Sequence, residues 1–289
     1  MLPIIAIVVI LGAVFGVYIA VGGNIEIIIH AAPHELATIL GAAIGAFMIA
    51  NKGSIIKQCL KDVGKAFKGA KWKKQDYTDL LCLLFAILKT VRSKGMIALE
   101  QHIEKPEESS IFQQYPKILH DHFAVDFICD TLRMMTMNFD DPHQVEDMME
   151  KLLEKHHHET AAPQHSIQTM ADGLPAIGIV AAVLGVIKTM GSINAPVEVL
   201  GALIGGALVG TFLGVFLAYC FVAPIANRLG QVYEEDHSFY LIIRAVLVSH
   251  LHGNAPQISI EIGRTNIPTS FTPSFLDMEA KLNEVVIPG

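Results

Sequence analysis

The segment VLGALIGGALVGTFLGVFLAYCFV, which runs from Val199 to Val222, decides the fold class. It contains no charged residue, and about 20 apolar residues are enough for a helix to cross the hydrocarbon core of a membrane. Small residues recur along it at every fourth position, which lets the backbones of two membrane helices approach closely. These residues are Gly206, Gly210, Gly214 and Ala218. The segment is therefore predicted to be a membrane helix that packs against other helices.

Three further apolar segments accompany it, at Leu2–Val21, Glu35–Ala50 and Leu174–Met190. The charged fraction of the 289-residue chain is 17%, and most of the charge lies between Lys52 and Glu159. Soluble domains average about 25% charged residues, so this distribution is typical of a membrane protein with one soluble insertion. The sequence predicts an all-α, polytopic membrane protein with four transmembrane helices and a helical insertion between the second and third.

The distribution of basic residues predicts the orientation. The short loops Gly22–His34 and Gly191–Glu198 contain no Lys or Arg, whereas lysines follow the second apolar segment directly. Loops rich in Lys and Arg stay in the cytoplasm. The insertion and both termini are therefore predicted to be cytoplasmic and the short loops external. The lysines are Lys52, Lys57, Lys61, Lys65, Lys68, Lys71, Lys73 and Lys74.

These features divide the chain into four regions. They are helices one and two (1–51), a cytoplasmic helical domain (52–172), helices three and four (173–224) and a cytoplasmic tail (225–289). At the start of the insertion, Ile56, Leu60, Val63 and Phe67 have helical spacing, with lysines on the opposite side of Gly53–Lys68. This basic amphipathic helix either lies on the inner membrane surface or packs on its own domain.

The rest of the insertion is also predicted to be helical. Helical patterns cover Asp76–Val91, Tyr115–Met137 and Val145–His158. The tail continues as a polar helix from Pro224 to Ser249, and it is predicted to be irregular and proline-rich beyond Gly253.

The chain lacks the usual marks of an enzyme or a metal site. It has no Walker motif, no dinucleotide fingerprint and no HExxH. Three consecutive histidines, His156 to His158, point in different directions on a helix and make a poor closed metal site. We therefore expect no catalytic residue, metal, cofactor or nucleic acid. Among the predicted spans, Lys188 is the ionisable exception, near an external end, so an ion channel would need a carboxylate from another chain.

The sequence resembles the MotA family of flagellar motor stator proteins over essentially the whole chain, in order. The segments that carry the resemblance are DGLPAIGIVAAVLGVI (172–187), LGALIGGALVGTFLGVFLAYCFVAPIA (200–226), LLCLLFAILKTVRSKGMIALEQHIEKPEES (80–109), AVFGVYIAVGGN (13–24), NAPQISIEIGR (254–264) and PSF (273–275).

The resemblance implies a mechanism and a location in the bacterial inner membrane. Copies of this chain would surround a MotB-like subunit, whose aspartate binds the coupling ion, and ion flow would generate torque. The insertion would act on the rotor protein FliG through Arg92 and Glu100. Pro175 and Pro224 match the prolines of the family and would act as hinges at the ion pathway, beside which Tyr219 also falls. From the residues alone, the two prolines mark helix ends.

The resemblance also bears on the coupling ion. Sodium-type relatives carry a threonine where this chain has Ala182, and two adjacent threonines where it has Gly210 and Thr211. Of these three positions, this chain has a threonine only at Thr211. Hydroxyl oxygens suit a dehydrated hard cation, so their absence favours protons. The alternatives are a sodium-driven stator, an ExbB or TolQ-like energiser of outer-membrane transport, and a membrane scaffold without ion flow.

Overall fold

In the computed structural model, which describes residues 2–137, 139 and 141–286, every regular element is a helix. The first span comprises α1 (Leu2–Leu11), a π-helical turn (Gly12–Gly16) and α2 (Val17–Ala20). The α-helices and π-helical turn that follow are α3 (Ile25–Ala50), α4 (Gly53–Lys68), α5 (Lys74–Lys94), α6 (Glu100–Glu104), α7 (Pro116–Leu119), α8 (His122–Thr136), α9 (Pro142–Met190), α10 (Val197–Leu217), a second π-helical turn (Ala218–Val222), α11 (Ala223–Leu251), α12 (Pro256–Thr265) and α13 (Phe275–Glu284). Three short 3₁₀ helices, Met96–Leu99, Pro106–Glu108 and Phe112–Gln114, lie between α5 and α7.

Within the described residues, four helical stretches are long and apolar enough to cross a membrane, which confirms the predicted fold class. They are Pro3–Ala20, Ile25–Ala50, Pro142–Met190 and Val197–Leu251. The prediction that Gly22–His34 forms a loop is wrong, because α3 already begins at Ile25. The side chain of Asn24 caps this helix by accepting a hydrogen bond from the backbone N–H of Glu26 at 3.0 Å. Such a cap satisfies a backbone donor that a helix start otherwise leaves open.

The apolar segments indicated that Pro175 and Pro224 mark helix ends. The structure shows that they do not. Helix α9 runs through Pro175, and the polypeptide stays helical across Pro224. A proline has no N–H, so it removes one backbone hydrogen bond and disturbs the preceding turn. Just before Pro224, the wider π-helical turn Ala218–Val222 accommodates that disturbance, as such turns commonly do within α-helices.

Contacts along the chain define two compact units, each described by itself. The membrane unit comprises the described residues up to Gly69 together with Ala161–Val232. Its interior is a small apolar cluster of α3, α9, α10 and the π-helical turn that follows, while large apolar side chains such as Val8 and Ile49 remain exposed, Ile49 to 90%. The cluster consists of Ile39, Ala43, Leu174, Ala181, Val209, Leu213 and Ala218. Apolar residues on the outside are what a lipid environment requires.

The insertion unit comprises Ala70–Thr160 and the described residues from Tyr233 onward. Its core is a continuous cluster built around α5, whose Leu80, Leu84 and Leu88 are fully buried. The Trp72 ring stacks on Phe239 with 3.8 Å between the ring centroids. Residues before α9 and residues of the C-terminal region thus form one core, although the sequence pattern assigned them to separate regions.

The expectation of an irregular tail beyond Gly253 is wrong, because α12 and α13 lie there. Pro256 occupies the first turn of α12, where a missing N–H costs nothing. Ile260 and Gly263 are buried against the core, and a Cβ atom at Gly263 would lie 2.9 Å from a methyl group of Leu81. The prolines therefore start and separate short packed helices, which isolated propensity does not reveal.

Candidate functional site

Helices α9 and α10 touch through their backbones in the middle of the membrane unit. A Cβ atom at Gly214 would lie 2.7 Å from the Cα of Gly178 and 2.8 Å from the carbonyl oxygen of Leu174. One at Gly185 would lie 2.7 Å from the Cβ of Ala207. These separations leave no room for a side chain, so the small residues are required for the approach of the two helices.

Gly210 and Gly206 differ in what surrounds them. A Cβ at Gly210 would lie 2.6 Å from the carboxylate of Glu35 on α3 and 3.2 Å from the backbone nitrogen of Ala182 on α9. Gly210 is thus the point where three helices meet. A Cβ at Gly206 would make an ordinary contact of 3.6 Å with Ala31. The structure therefore brings Ala182 and Gly210 together and leaves Gly206 less constrained.

A cavity of about 710 Å³, into whose mainly apolar lining several ionisable side chains are set, lies beside this crossing within the membrane unit. Its lining includes Glu35, Lys188, His30 and His34 as well as Gly206. The expectation that Lys188 is the ionisable exception in the spans is wrong, because Glu35 lies near the middle of α3. Sequence reasoning placed Glu35 at the edge of a span, since the apolar window was taken to begin there. The asparagine cap at Asn24 was the signal that could have moved this boundary.

The other residues predicted for the ion pathway are more dispersed. Thr211 is half-buried beside Gly210, and Pro175 is half-buried in α9. Pro224 is exposed, and the Tyr219 side chain in the second π-helical turn is 63% exposed. Tyr219 does not line the cavity that contains Glu35. The structure therefore places these residues on the expected helices without gathering them into one closed site.

Arg92 and Glu100 belong to the insertion unit, on either side of a turn. Gly95 has a φ of 84°, which ends α5, and its N–H donates to the carbonyl of Val91 at 2.9 Å. Glycine is the residue that adopts this conformation at least cost. Arg92 in the last turn of α5 and Glu100 at the start of α6 are both exposed, and neither forms an ion pair with another residue that the structure describes. Between them, Ile97 is 82% exposed.

Comparison with known proteins assigns the family. The model "Motility protein A N-terminal" matches residues 4–95, and the model "MotA/TolQ/ExbB proton channel family" matches residues 120–239. The chain is 41% identical to Motility protein A of Escherichia coli over 288 residues, which cover 100% of this chain and 97% of that protein. The chain belongs to the MotA family. The predicted resemblance is thereby confirmed.

Further relatives of this MotA family member agree. Motility protein A of Salmonella typhimurium is 40% identical over 289 residues, covering 100% of this chain and 97% of that protein. The solved structure of C. jejuni MotAB has a similar fold, with a TM-score of 0.70 at 21% identity, covering 92% of this chain and 95% of that chain. The flagellar MotAB stator complex from Bacillus subtilis gives a TM-score of 0.67 at 22% identity, covering 89% of this chain and 92% of that chain.

Proposed function

We propose that this chain is the MotA-type subunit of a flagellar stator, which forms with a MotB-like subunit a channel whose proton flow generates torque on the rotor. The observation that carries the proposal is the full-length match to Motility protein A, combined with four apolar helices whose α9 and α10 meet through glycine backbones. No catalytic role is proposed for any residue. The whole-chain match favours a stator over an ExbB or TolQ-like energiser.

Assembly into a ring around the partner is supported by glycines at which an added Cβ would face open space in the described part of the chain. No neighbouring atom of the described residues would lie within 4 Å of a Cβ added at Gly12, Gly16, Gly41, Gly45 or Gly201. Small residues cost little to expose to lipid, and they allow a further helix to approach closely. These faces of the first span, α3 and α10 suit copies of this chain or the helix of a MotB-like subunit.

Proton coupling is supported by the surroundings of Gly210. The sites that would carry threonine hydroxyls in sodium-type relatives hold Ala182 and Gly210, and the space beside Gly210 is filled by Glu35 and the α9 backbone. A sodium ion needs several oxygen ligands in a defined cavity, whereas a proton needs a carboxylate and water access. We expect swimming to persist when potassium replaces sodium and to stop with a protonophore. Dependence on sodium at constant proton gradient would contradict proton coupling.

The membrane orientation follows the lysines after α3 and is part of the proposal. We place the insertion unit and both termini in the cytoplasm of a bacterial inner-membrane protein. A reporter fused near Glu150 should be cytoplasmic, and one near Asn194 should be external. A cytoplasmic signal at Asn194 would contradict the four-span arrangement.

The decisive experiment co-expresses the chain with a MotB-like partner and measures proton influx and swimming. We expect influx with the partner and little influx for the chain alone, because the ion-binding aspartate belongs to the partner. Glu35→Gln is the matched control, since it removes the carboxylate beside Gly210. Influx through the chain alone that Glu35→Gln abolishes would mean that this chain supplies the carboxylate itself, and the shared channel would be wrong.

Torque is proposed to pass to FliG through the exposed turn that carries Arg92 and Glu100. Neither charged side chain packs in the core. The exposed side chain of Ile97, between them in sequence, offers an apolar surface that FliG would contact. Charges at the rim of an interface guide encounter more than they strengthen binding, which suits a contact that is made and broken repeatedly.

A further inference from the structure

A second cavity, of about 420 Å³, lies at the basic end of the membrane unit. One wall is apolar and comes from the first turns of α1, at Pro3 and Ala6. The lining also includes cationic and polar side chains, Lys68 from the end of α4 and Arg228 and Gln231 from α11. The cavity therefore combines an apolar wall with two positive charges, which neither the ion pathway nor the rotor contact uses.

The polypeptide orients the guanidinium group of Arg228. Its Nη1 donates to the side-chain oxygen of Gln231 at 3.0 Å. A Cβ atom at Gly69 would lie 3.7 Å from its Nη2, so the group lies close to the backbone that ends α4. Gly69 has a φ of 84°, which turns the chain sharply after Lys68. The planar guanidinium group carries a fork of N–H donors whose geometry matches that of phosphate oxygens.

The order of the spans implies that the cavity lies at one surface of the bilayer. Consecutive spans run in opposite directions, so the start of α1 and the end of α3 share one membrane face, and α4 follows α3 there. Helix α4 buries Cys59 and Ala66 and leaves Leu60 80% exposed and Phe67 45% exposed. An amphipathic helix with exposed apolar side chains and lysines is typical of the boundary between headgroups and acyl chains. Phe67 also lines the cavity.

We propose that this cavity binds the headgroup of an anionic phospholipid, with the phosphate between Lys68 and Arg228 and the acyl chains along Pro3 and Ala6. The apolar wall favours a lipid over a soluble phosphate, and the paired cations favour an anionic headgroup over a zwitterionic one. The proposal requires only a chain that spans a membrane, so it stands or falls independently of the stator function.

The test uses the full chain, purified both alone and with the MotB-like partner, in nanodiscs of phosphatidylcholine with or without phosphatidylglycerol. Native mass spectrometry measures the phosphatidylglycerol that each chain retains. The double variant Lys68→Gln with Arg228→Gln should weaken retention about tenfold or more, because two charge-assisted contacts are lost. The matched control, Lys57→Gln with Lys61→Gln, removes equal charge from the same basic end, outside the cavity, and should retain the lipid.

A second variant separates the cavity from its charge. Ala6→Trp fills the apolar side without changing any charge, and it should also reduce lipid retention. If the double variant does not reach the membrane, the result for Ala6→Trp tests the proposal instead. Equal losses from the double variant and from its matched control, or no loss from Ala6→Trp, would overturn the proposal in favour of diffuse attraction to the membrane. Competition by soluble glycerol 3-phosphate would overturn the lipid assignment. Loss of ring assembly at unchanged lipid retention would mean that a second copy fills the cavity.

Discussion

The membrane unit and the insertion unit are both helical, yet they are held together in opposite ways. In the membrane unit, α9 and α10 meet through Gly178 and Gly214, and large apolar side chains face outward. In the insertion unit, α5 is surrounded by other helices and buries Leu80, Leu84 and Leu88 completely. Water drives the second arrangement, whereas lipid removes that drive and leaves close backbone packing to hold helices together. The same substitution chemistry should therefore have different consequences in the two units.

The largest effect is expected for Gly214→Leu in the membrane unit. Its side chain would have to occupy space where the Cα of Gly178 and the carbonyl of Leu174 lie within 2.8 Å of the Cβ position. Since these are backbone atoms, the helices must separate. We expect loss of the assembled complex from the membrane, measured by its abundance and by co-purification with the partner.

Gly201→Leu is the matched control on the same helix for membrane abundance, because a Cβ at Gly201 meets nothing within 4 Å of the described chain. Co-purification is not compared for this variant, since Gly201 lies on a face proposed for partner helices. The variant should leave the fold of the single chain intact. If Gly214→Leu were as abundant in the membrane as Gly201→Leu, backbone contact would not be what holds the membrane unit together, and the contrast between the units would fail.

A smaller loss is expected for Leu84→Ala in the insertion unit. Leu84 is fully buried, and such truncations cost about 2–5 kcal/mol because they leave a cavity. Thermal unfolding of the purified complex should show a lower transition temperature, with membrane insertion unchanged. The control is Ile97→Ala, at a side chain that is 82% exposed, which should change stability by less than about 0.5 kcal/mol. Equal effects from the two would show that α5 is not the core of its unit.

Sequence predicted most of this contrast. Four spans, the helical insertion and the close-packing role of Gly210 and Gly214 follow from composition and spacing. The start of α3 was missed because hydropathy windows ignore the cap at Asn24. The helicity around Pro175 and Pro224 was missed because proline is read as a stop, whereas α9 continues through Pro175 and a π-helical turn precedes Pro224.

The candidate site was less predictable than the fold. The contact of Glu35 with Gly210 depends on the rotation of α3 against α10, which a single sequence does not specify. Likewise, the short tail helices form because Ile260 and Gly263 find a partner in α5. The assignment of Arg92 and Glu100 came from the family resemblance alone, and their roles stay predictions.

A modest pH effect is expected in the insertion unit at His102. Burial, with a smaller contribution from Lys94, lowers the pKa of His102, whose Nδ1 lies 2.8 Å from the Ser109 hydroxyl oxygen. The unfolded chain, with a pKa of about 6.5, binds this proton more readily than the fold does. The contribution of neutral His102 is therefore fully present above about pH 6.5 and is lost as the pH falls through the lower folded value.

The measurement is thermal unfolding from about pH 7.5 down to about pH 5.5, around the ordinary titration of histidine. His102→Gln should reduce the loss of stability on acidification, and His122→Gln, at an exposed position, should not. An acid dependence unchanged in His102→Gln would contradict the assignment to this side chain.

The smallest effect on stability is expected for the charges of the exposed turn. Arg92→Glu and Glu100→Lys each change a surface side chain, so abundance and proton flux should persist. Swimming should fall, and more for charge reversal than for Arg92→Gln or Glu100→Gln, because a reversed charge repels where a neutral one only fails to attract. The matched control is Lys151→Glu, an equal reversal at an exposed position of α9.

This last prediction separates force transmission from folding, since the two ideas differ on which measurements move together. If the turn transmits force, a compensating reversal on the rotor protein should restore part of the swimming that Arg92→Glu removes, and no change in the complex itself should be detectable. If Arg92 or Glu100 supports the fold, abundance and flux fall together with swimming, and no rotor substitution restores them. Equal loss of swimming in Lys151→Glu would instead indicate a general dependence on surface charge, and the specific contact at this turn would be rejected.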